Sequence, residues 1–154
     1  MLTVDEKREI QKQIEELGSR RAAVLEALKI VQRMRGWVSD ACLAEVATLL
    51  EMTPSELDGV ATGFNMIHRR PVGRHVVLVC DSVSCWIMGH DFVLPELQRL
   101  LGVTLGQTTP DLRFTLLPVA CLGLCDQAPA LMVDEDTHVQ LTPRKLAALL
   151  EQYP

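Results

Sequence analysis

Two tight cysteine pairs constrain this chain more than any other feature. Cys80-Asp-Ser-Val-Ser-Cys85 holds one pair and Cys121-Leu-Gly-Leu-Cys125 the other. Each follows, directly or nearly so, a run that reads as a strand: His75-Val76-Val77-Leu78-Val79, the pattern of a strand buried on both faces, and Arg113-Phe114-Thr115-Leu116-Leu117. Neighbouring strand ends in a sheet lie about 5 Å apart. Loops leaving adjacent C-terminal strand ends can therefore present four sulfurs to one site.

Such a donor set suits two metal centres. Structural zinc takes four thiolates in pairs of close spacing, and a binuclear iron–sulfur cluster also takes four. Ser82, Ser84 and Gly123 make both loops rich in small residues. Small residues let backbone N–H groups approach a buried, multiply charged cluster, which favours iron–sulfur while leaving zinc compatible. Disulfides fit poorly. Five cysteines in 154 residues are too few for a disulfide scaffold, and neither pair has the two-residue spacing of thiol oxidoreductases. The opening MLTVDEKREI is charged from the fifth residue and lacks a signal-peptide core. The expectation is a cytosolic or cytosol-facing protein. Its longest apolar runs, such as Val76 to Cys80, are far short of the roughly 20 residues of a membrane span.

The segments around these loops predict an α+β fold. Thr3 and Glu6 form a possible capping box, with a stop at Leu17-Gly18. Ser19 is placed to cap a second helix carrying Val24, Leu25, Leu28 and Val31 on one face and ending at Gly36. Ser39 is placed to cap a third, with Leu43, Val46, Ala47 and Leu50 inward. Thr53-Pro54-Ser55-Glu56 is the strongest start signal, for a short fourth helix ending near Thr62-Gly63. Residues 1–65 therefore read as a helical bundle. Residues 66–154 read as a second domain: the first strand, a helix from Asp91 to Leu101, the second strand, a hairpin of Ala130–Val133 and His138–Leu141 about the turn Asp134–Asp136, and a last helix opened by Thr142-Pro143.

The composition excludes several functions. Fifteen Lys and Arg against 20 Asp and Glu leave a formal charge of −5, the wrong sign for wrapping nucleic acid. The sequence has no G-x-G-x-x-G turn, phosphate loop or nucleophile motif, so nothing marks a nicotinamide or flavin site of its own. Cys42, remote from both pairs, reads as a small buried hydrophobe. Trp86, next to Cys85, reads equally as a water shield for the metal site or as core packing. His68, Arg69, Arg70 and Arg74 form the only basic run, fit for an acidic partner surface but more typical of a solvated linker. His75, His90 and His138 are read as non-ligands because four thiolates complete a site. Asp126 could serve as an acid/base group, and a hairpin turn accounts for Asp134–Asp136.

The order βαβ followed by ββα resembles a thioredoxin-like sandwich, and the motifs resemble a particular family. Gly59-Val60-Ala61-Thr62, PVGRHVVLVCDSVSC, LGVTLGQTT, RFTLLPVACLGLCDQAPALMVDEDTHVQLTP and the upstream ALKIVQRMRGWVSD are similar to the small iron–sulfur subunit of proton-pumping NADH–quinone dehydrogenase (NADH-quinone oxidoreductase, respiratory complex I). The resemblance covers nearly the whole sequence. It implies a helical N-terminal part followed by a thioredoxin-like [2Fe–2S] ferredoxin domain, with Cys80, Cys85, Cys121 and Cys125 as the cluster ligands. It further implies a flavin- and NADH-binding partner subunit, which holds FMN, binds NADH and exchanges single electrons with the cluster. Other peripheral-arm subunits would adjoin it on the cytoplasmic face of the inner membrane. Equivalent subunits serve NAD-dependent formate dehydrogenases and NAD-coupled hydrogenases. A zinc-stapled interaction module is the alternative of a different class. The sequence departs from the family at Gly63-Phe64, where Phe-Tyr is usual, and at Asp111-Leu112, where Asp-Gly is usual. The second departure requires either a turn of negative φ or a strained leucine.

Overall fold

Local chemistry sets the helix starts in the computed structural model, which describes residues 1–154. The Glu6 N–H donates to the Thr3 hydroxyl at 3.2 Å, and the Thr3 N–H donates to the Glu6 carboxylate at 2.6 Å. This box opens α1, Val4–Leu17, which Gly18 closes in a left-handed conformation. Ser39 caps α3, Asp40–Leu50, and Thr53 with Glu56 makes a second box at the start of α4, Pro54–Gly63. The start of α2, Val24–Arg35, departs from expectation. Ser19 sits too far upstream and closes a separate turn, its carbonyl and hydroxyl accepting from the Ala23 and Ala22 N–H groups; Ala23 is the N-cap, without a side-chain bond.

Met1–Pro71 form one compact unit and Val72–Pro154 another. The first is built on Ile10, Leu28, Val31, Val46, Leu50 and Leu57. Cys42 lies within that core, 2% exposed, as a small hydrophobe does. Glu6 is buried there too, and Arg35 neutralises it through two hydrogen bonds of 2.5 and 2.6 Å. Contacts of this unit continue past residue 65. Ile67 is buried in its core, and Arg69 donates to the Asp58 and Asp40 carboxylates and to the Val38 carbonyl. Arg69 thus belongs to the fold of the helical unit and is not part of a solvated linker.

The second unit is a five-stranded sheet of order β2-β3-β1-β4-β5. The central pair, β1 (His75–Cys80) and β3 (Phe114–Val119), runs parallel; β4 (Leu131–Val133), β5 (Asp136–His138) and β2 (Gln107–Thr108) add antiparallel. Alternation along β1 divides two cores. Val77 and Val79 pack with Val93 and Leu97 of α6 (His90–Leu101) and with Leu146 and Leu149 of α7 (Pro143–Leu150). Val76, Leu78 and Cys80 pack on the other face with Cys85, Val119, Ala128 and Ala130. The strand is therefore buried on both faces, as its composition predicts.

Two elements lie outside the sequence expectation. α5, Val83–Met88, precedes α6, and β2 makes an edge. β2 has no apolar run of its own; the Gly106 N–H donates to the Leu116 carbonyl, and the Thr108 and Thr115 hydroxyls share a 2.8 Å hydrogen bond. The hairpin's second strand lies earlier than expected, at Asp136–His138 rather than His138–Leu141: the turn is tighter, and Asp136 pairs with Val133 instead of belonging to it. No helix is long and apolar enough to cross a membrane.

Candidate metal centre

Both cysteine loops leave the same end of the sheet. The β1–β3 register pairs Cys80 with Val119, the last residue of each strand. The ladder continues one step beyond, where the Asp81 N–H donates to the Val119 carbonyl at 2.8 Å. Cys85 sits on α5, and Cys121 and Cys125 bracket the turn after β3, where Gly123 takes φ 78°. The two cysteine pairs thus follow the same end of two adjacent parallel strands.

The sulfurs come as two unlike pairs. Cys80 and Cys85 are buried, and each perturbs the other's ionisation. Cys121 and Cys125 are exposed, with their Sγ atoms 3.7 Å apart. None of the cysteines is in a disulfide, and no three His, Cys, Asp or Glu side chains converge as for a single ion. A binuclear cluster divides its four thiolates between two irons, so a donor set arranged as two pairs suits it.

Backbone donors knit the loops together. The Cys80 sulfur is hydrogen-bonded to the Ser82 hydroxyl at 3.5 Å, and the backbone N–H groups of Leu122, in the other loop, and of Ser82 favour its ionised form. The Gly123 N–H donates to the Cys121 sulfur at 3.3 Å, and the Ala130 N–H favours the ionised form of Cys85. Burial pushes the Cys80 thiol up, but its hydrogen bond with the Ser82 hydroxyl and the nearby Leu122 and Ser82 N–H groups outweigh it and hold the thiol below its ordinary range. Burial pushes the Cys85 thiol up, the Ala130 N–H opposes this, and the neighbouring Cys80 keeps the net shift upward. N–H groups aimed at sulfur from both loops are what a negatively charged thiolate centre requires. The donor set and its hydrogen bonds therefore fit a [2Fe–2S] cluster. The individual N–H donors are not legible in the sequence; the small residues of the loops are their only trace.

The other residues singled out lie apart from the sulfurs or around them. Trp86 is neither core nor fully exposed. Its indole N–H donates to Asp81 Oδ1 at 2.5 Å, and its ring stacks on His90 at 4.6 Å between centroids. His90 is buried, with Nε2 3.7 Å from the same Asp81 oxygen. Asp126 is exposed in the 3-10 turn Cys125–Gln127. Asp134 clamps the far end of the sheet, accepting from the Val76 N–H at 2.8 Å and pairing with His75 Nδ1 at 2.7 Å. His138 is hydrogen-bonded to the Tyr153 hydroxyl.

A parallel β1–β3 pair, flanked by antiparallel strands and covered on one face by α6 and α7, defines a thioredoxin-like domain. At its strand ends it carries a four-cysteine centre. The model of the thioredoxin-like [2Fe–2S] ferredoxin family matches residues 10–154. The E subunit of NADH-quinone oxidoreductase from Pseudomonas aeruginosa is 50% identical over 99% of this sequence and 92% of the relative. The corresponding subunit from Escherichia coli K12 is 47% identical over the same shares. An NAD+-reducing [NiFe]-hydrogenase, solved in the air-oxidized state, superposes with a TM-score of 0.70 at 27% identity. That match covers 84% of this protein, which spans only 22% of the hydrogenase polypeptide. The protein belongs to the thioredoxin-like [2Fe–2S] ferredoxins and, among them, to the family of NADH-quinone oxidoreductase E subunits. Its cofactor is accordingly a [2Fe–2S] cluster, and it is one subunit of a larger oxidoreductase.

Proposed function

We propose that this protein is the electron-transfer subunit of an NADH-quinone oxidoreductase, with its cluster on Cys80, Cys85, Cys121 and Cys125. It sits beside the flavoprotein subunit, which holds the FMN and binds NADH, on the cytoplasmic face of the membrane with the other peripheral subunits. When bound, the cluster takes up and returns one electron at a time. The observation that carries the ligand set is that the two cysteine pairs follow the paired ends of two adjacent parallel strands, where Cys80 is in register with Val119. Cys80 and Cys85 give the buried half of the site, and Cys121 and Cys125 give the solvent-facing half. The sequence has no dinucleotide-binding turn, so the hydride chemistry falls to the partner.

The likeness to the hydrogenase supports a second host, an NAD-coupled hydrogenase, for the same module. The experiment is anaerobic purification of the protein alone and with its flavoprotein. The protein carries two irons and two acid-labile sulfides, and dithionite develops a spin-half resonance. NADH develops the same signal only when the flavoprotein is present. Stoichiometric zinc without iron, or reduction by NADH of the flavin-free protein, overturns the reading. The flavoprotein that co-purifies decides the host.

A further inference from the structure

The short helix that carries Cys85 has little to hold it in place. α5 is six residues long, and helices shorter than about 12 residues are marginal in water on their own. Cys85 is its only buried residue, and its N-cap, Ser82, makes no side-chain bond to the helix. The Ser82 hydroxyl is hydrogen-bonded to the Cys80 sulfur instead, at 3.5 Å. Val83, Ile87 and Met88 are open to solvent, so burial of an apolar face does not fix α5 either.

Two contacts of Trp86 do. Its indole N–H donates to Asp81 Oδ1 at 2.5 Å, and its ring stacks on His90 with centroids 4.6 Å and planes 26° apart. Both supports are anchored elsewhere. Asp81 continues the β1–β3 ladder, its N–H donating to the Val119 carbonyl at 2.8 Å. His90 is buried at the start of α6, whose Val93 and Leu97 pack into the core beneath the sheet. The His90 Nε2 lies 3.7 Å from the same Asp81 oxygen. Asp81 follows Cys80 and Trp86 follows Cys85, so the indole bond joins the residues next to the two buried cysteines. We propose that Trp86 is a positioning residue: clamped between Asp81 and His90, it fixes α5 and with it the Cys85 sulfur for the cluster. This rests on the reading of Cys80 and Cys85 as ligands. It is a different role from a water shield or a core side chain, the two that the sequence offers.

The test uses the full-length protein loaded with its cluster. It reads the shape of the spin-half resonance after dithionite reduction and the rate at which a chelator strips the iron. Trp86→Phe keeps a ring against His90 and loses the indole N–H; Asp81→Ala loses the acceptor. Each alters the resonance and releases iron about three- to tenfold faster than wild type, the ratio that one net hydrogen bond commands. The double variant is no worse than either single one, because both remove the same interaction. Asp81→Asn removes the charge but keeps an oxygen acceptor, and it behaves as wild type in both readouts. Ile87→Ala, at an open position of the same helix, also leaves both unchanged. If Trp86→Phe keeps the wild-type resonance and rate, Trp86 does not position Cys85, and the ligand reading stands. If Asp81→Asn behaves as Asp81→Ala does, the carboxylate acts through its charge and the clamp is overturned. If Cys85→Ser changes neither readout, the ligand reading fails and the proposal with it.

Discussion

Cys80 and Val119 are partners in the parallel β1–β3 ladder, so both cysteine loops leave the sheet at one level. The buried ladder fixes that level. Val76, Leu78 and Cys80 share a face with Val119, and a one-residue slip would turn Cys80 to the α6–α7 side. The register that buries the core is thus the register that brings the loops together.

Ser in place of Cys80, Cys85, Cys121 or Cys125 replaces a soft thiolate with a hard oxygen ligand. Each variant loses the cluster or changes its visible and paramagnetic spectra. Cys42→Ala keeps both spectra, because Cys42 lies in the separate helical core, and it costs about 1 kcal/mol of stability. Visible absorption, electron paramagnetic resonance and a denaturant titration of the five proteins check this. A cluster lost only in Cys42→Ala, with the fold retained, would reject the ligand set.

Leu112 takes φ 57°, so the departure from Asp-Gly is met by a left-handed leucine. The surrounding bonds hold it there: the Leu112 N–H donates to the Thr109 carbonyl, the Arg74 N–H to the Leu112 carbonyl and the Arg113 N–H to the Asp111 carboxylate. A left-handed conformation costs a non-glycine residue about 1–2 kcal/mol, and the side chain is 66% exposed. Leu112→Gly loses little burial and gains up to about 1 kcal/mol after the entropy of a more flexible unfolded state is subtracted. Chemical denaturation measures the gain, and an unchanged cluster spectrum shows that the turn acts on stability alone.

Gly73 packs directly against that turn. Its N–H donates to the Thr115 hydroxyl at 2.6 Å, and an added Cβ would sit 3.0 Å from the Leu112 oxygen and from the Arg113 carbonyl carbon and oxygen. These are backbone atoms of the entry to β3 and have little room to yield. Gly73→Ala is expected to cost about 1–3 kcal/mol, read as a lowered unfolding midpoint. A neutral result would show that the turn shifts freely.

The elements legible in the sequence are those whose signal is local or periodic. The capping boxes at Thr3 and Thr53, the helix stop at Gly18 and the doubly buried β1 belong here. The features that escape a sequence reading depend on tertiary partners. The edge strand at Gln107 is a strand only because β3 lies beside it. α5 is short and carries its apolar residues outward, so amphipathicity conceals it. Arg69 reads as part of a solvated run because the carboxylates that hold it, Asp40 and Asp58, are distant in sequence. At the metal centre the cysteine spacing is visible, but the split into a buried and an exposed pair is not. That split arises because Cys80 and Cys85 lie against the sheet, whereas Cys121 and Cys125 lie in the turn beyond it.

Acid loosens the helical unit through Glu6. The paired hydrogen bonds from Arg35 are the largest influence on this carboxyl and, with the Thr3 N–H and hydroxyl, outweigh its burial; its pKa falls from 4.5 to about 2. A carboxyl whose folded pKa is depressed holds fewer protons in the folded state than in the unfolded one between those two values. Its stabilisation is therefore complete above about pH 4.5 and is lost as the pH falls toward 2. The shift corresponds to on the order of 3 kcal/mol. Glu6→Gln should thus destabilise the protein strongly at pH 7, and the gap to wild type should close progressively between pH 4.5 and pH 2. Thermal or urea unfolding of the two proteins, followed by helical circular dichroism across that range, measures the gap. A difference that stays constant down to pH 2 would show that the carboxylate charge is not what Arg35 stabilises.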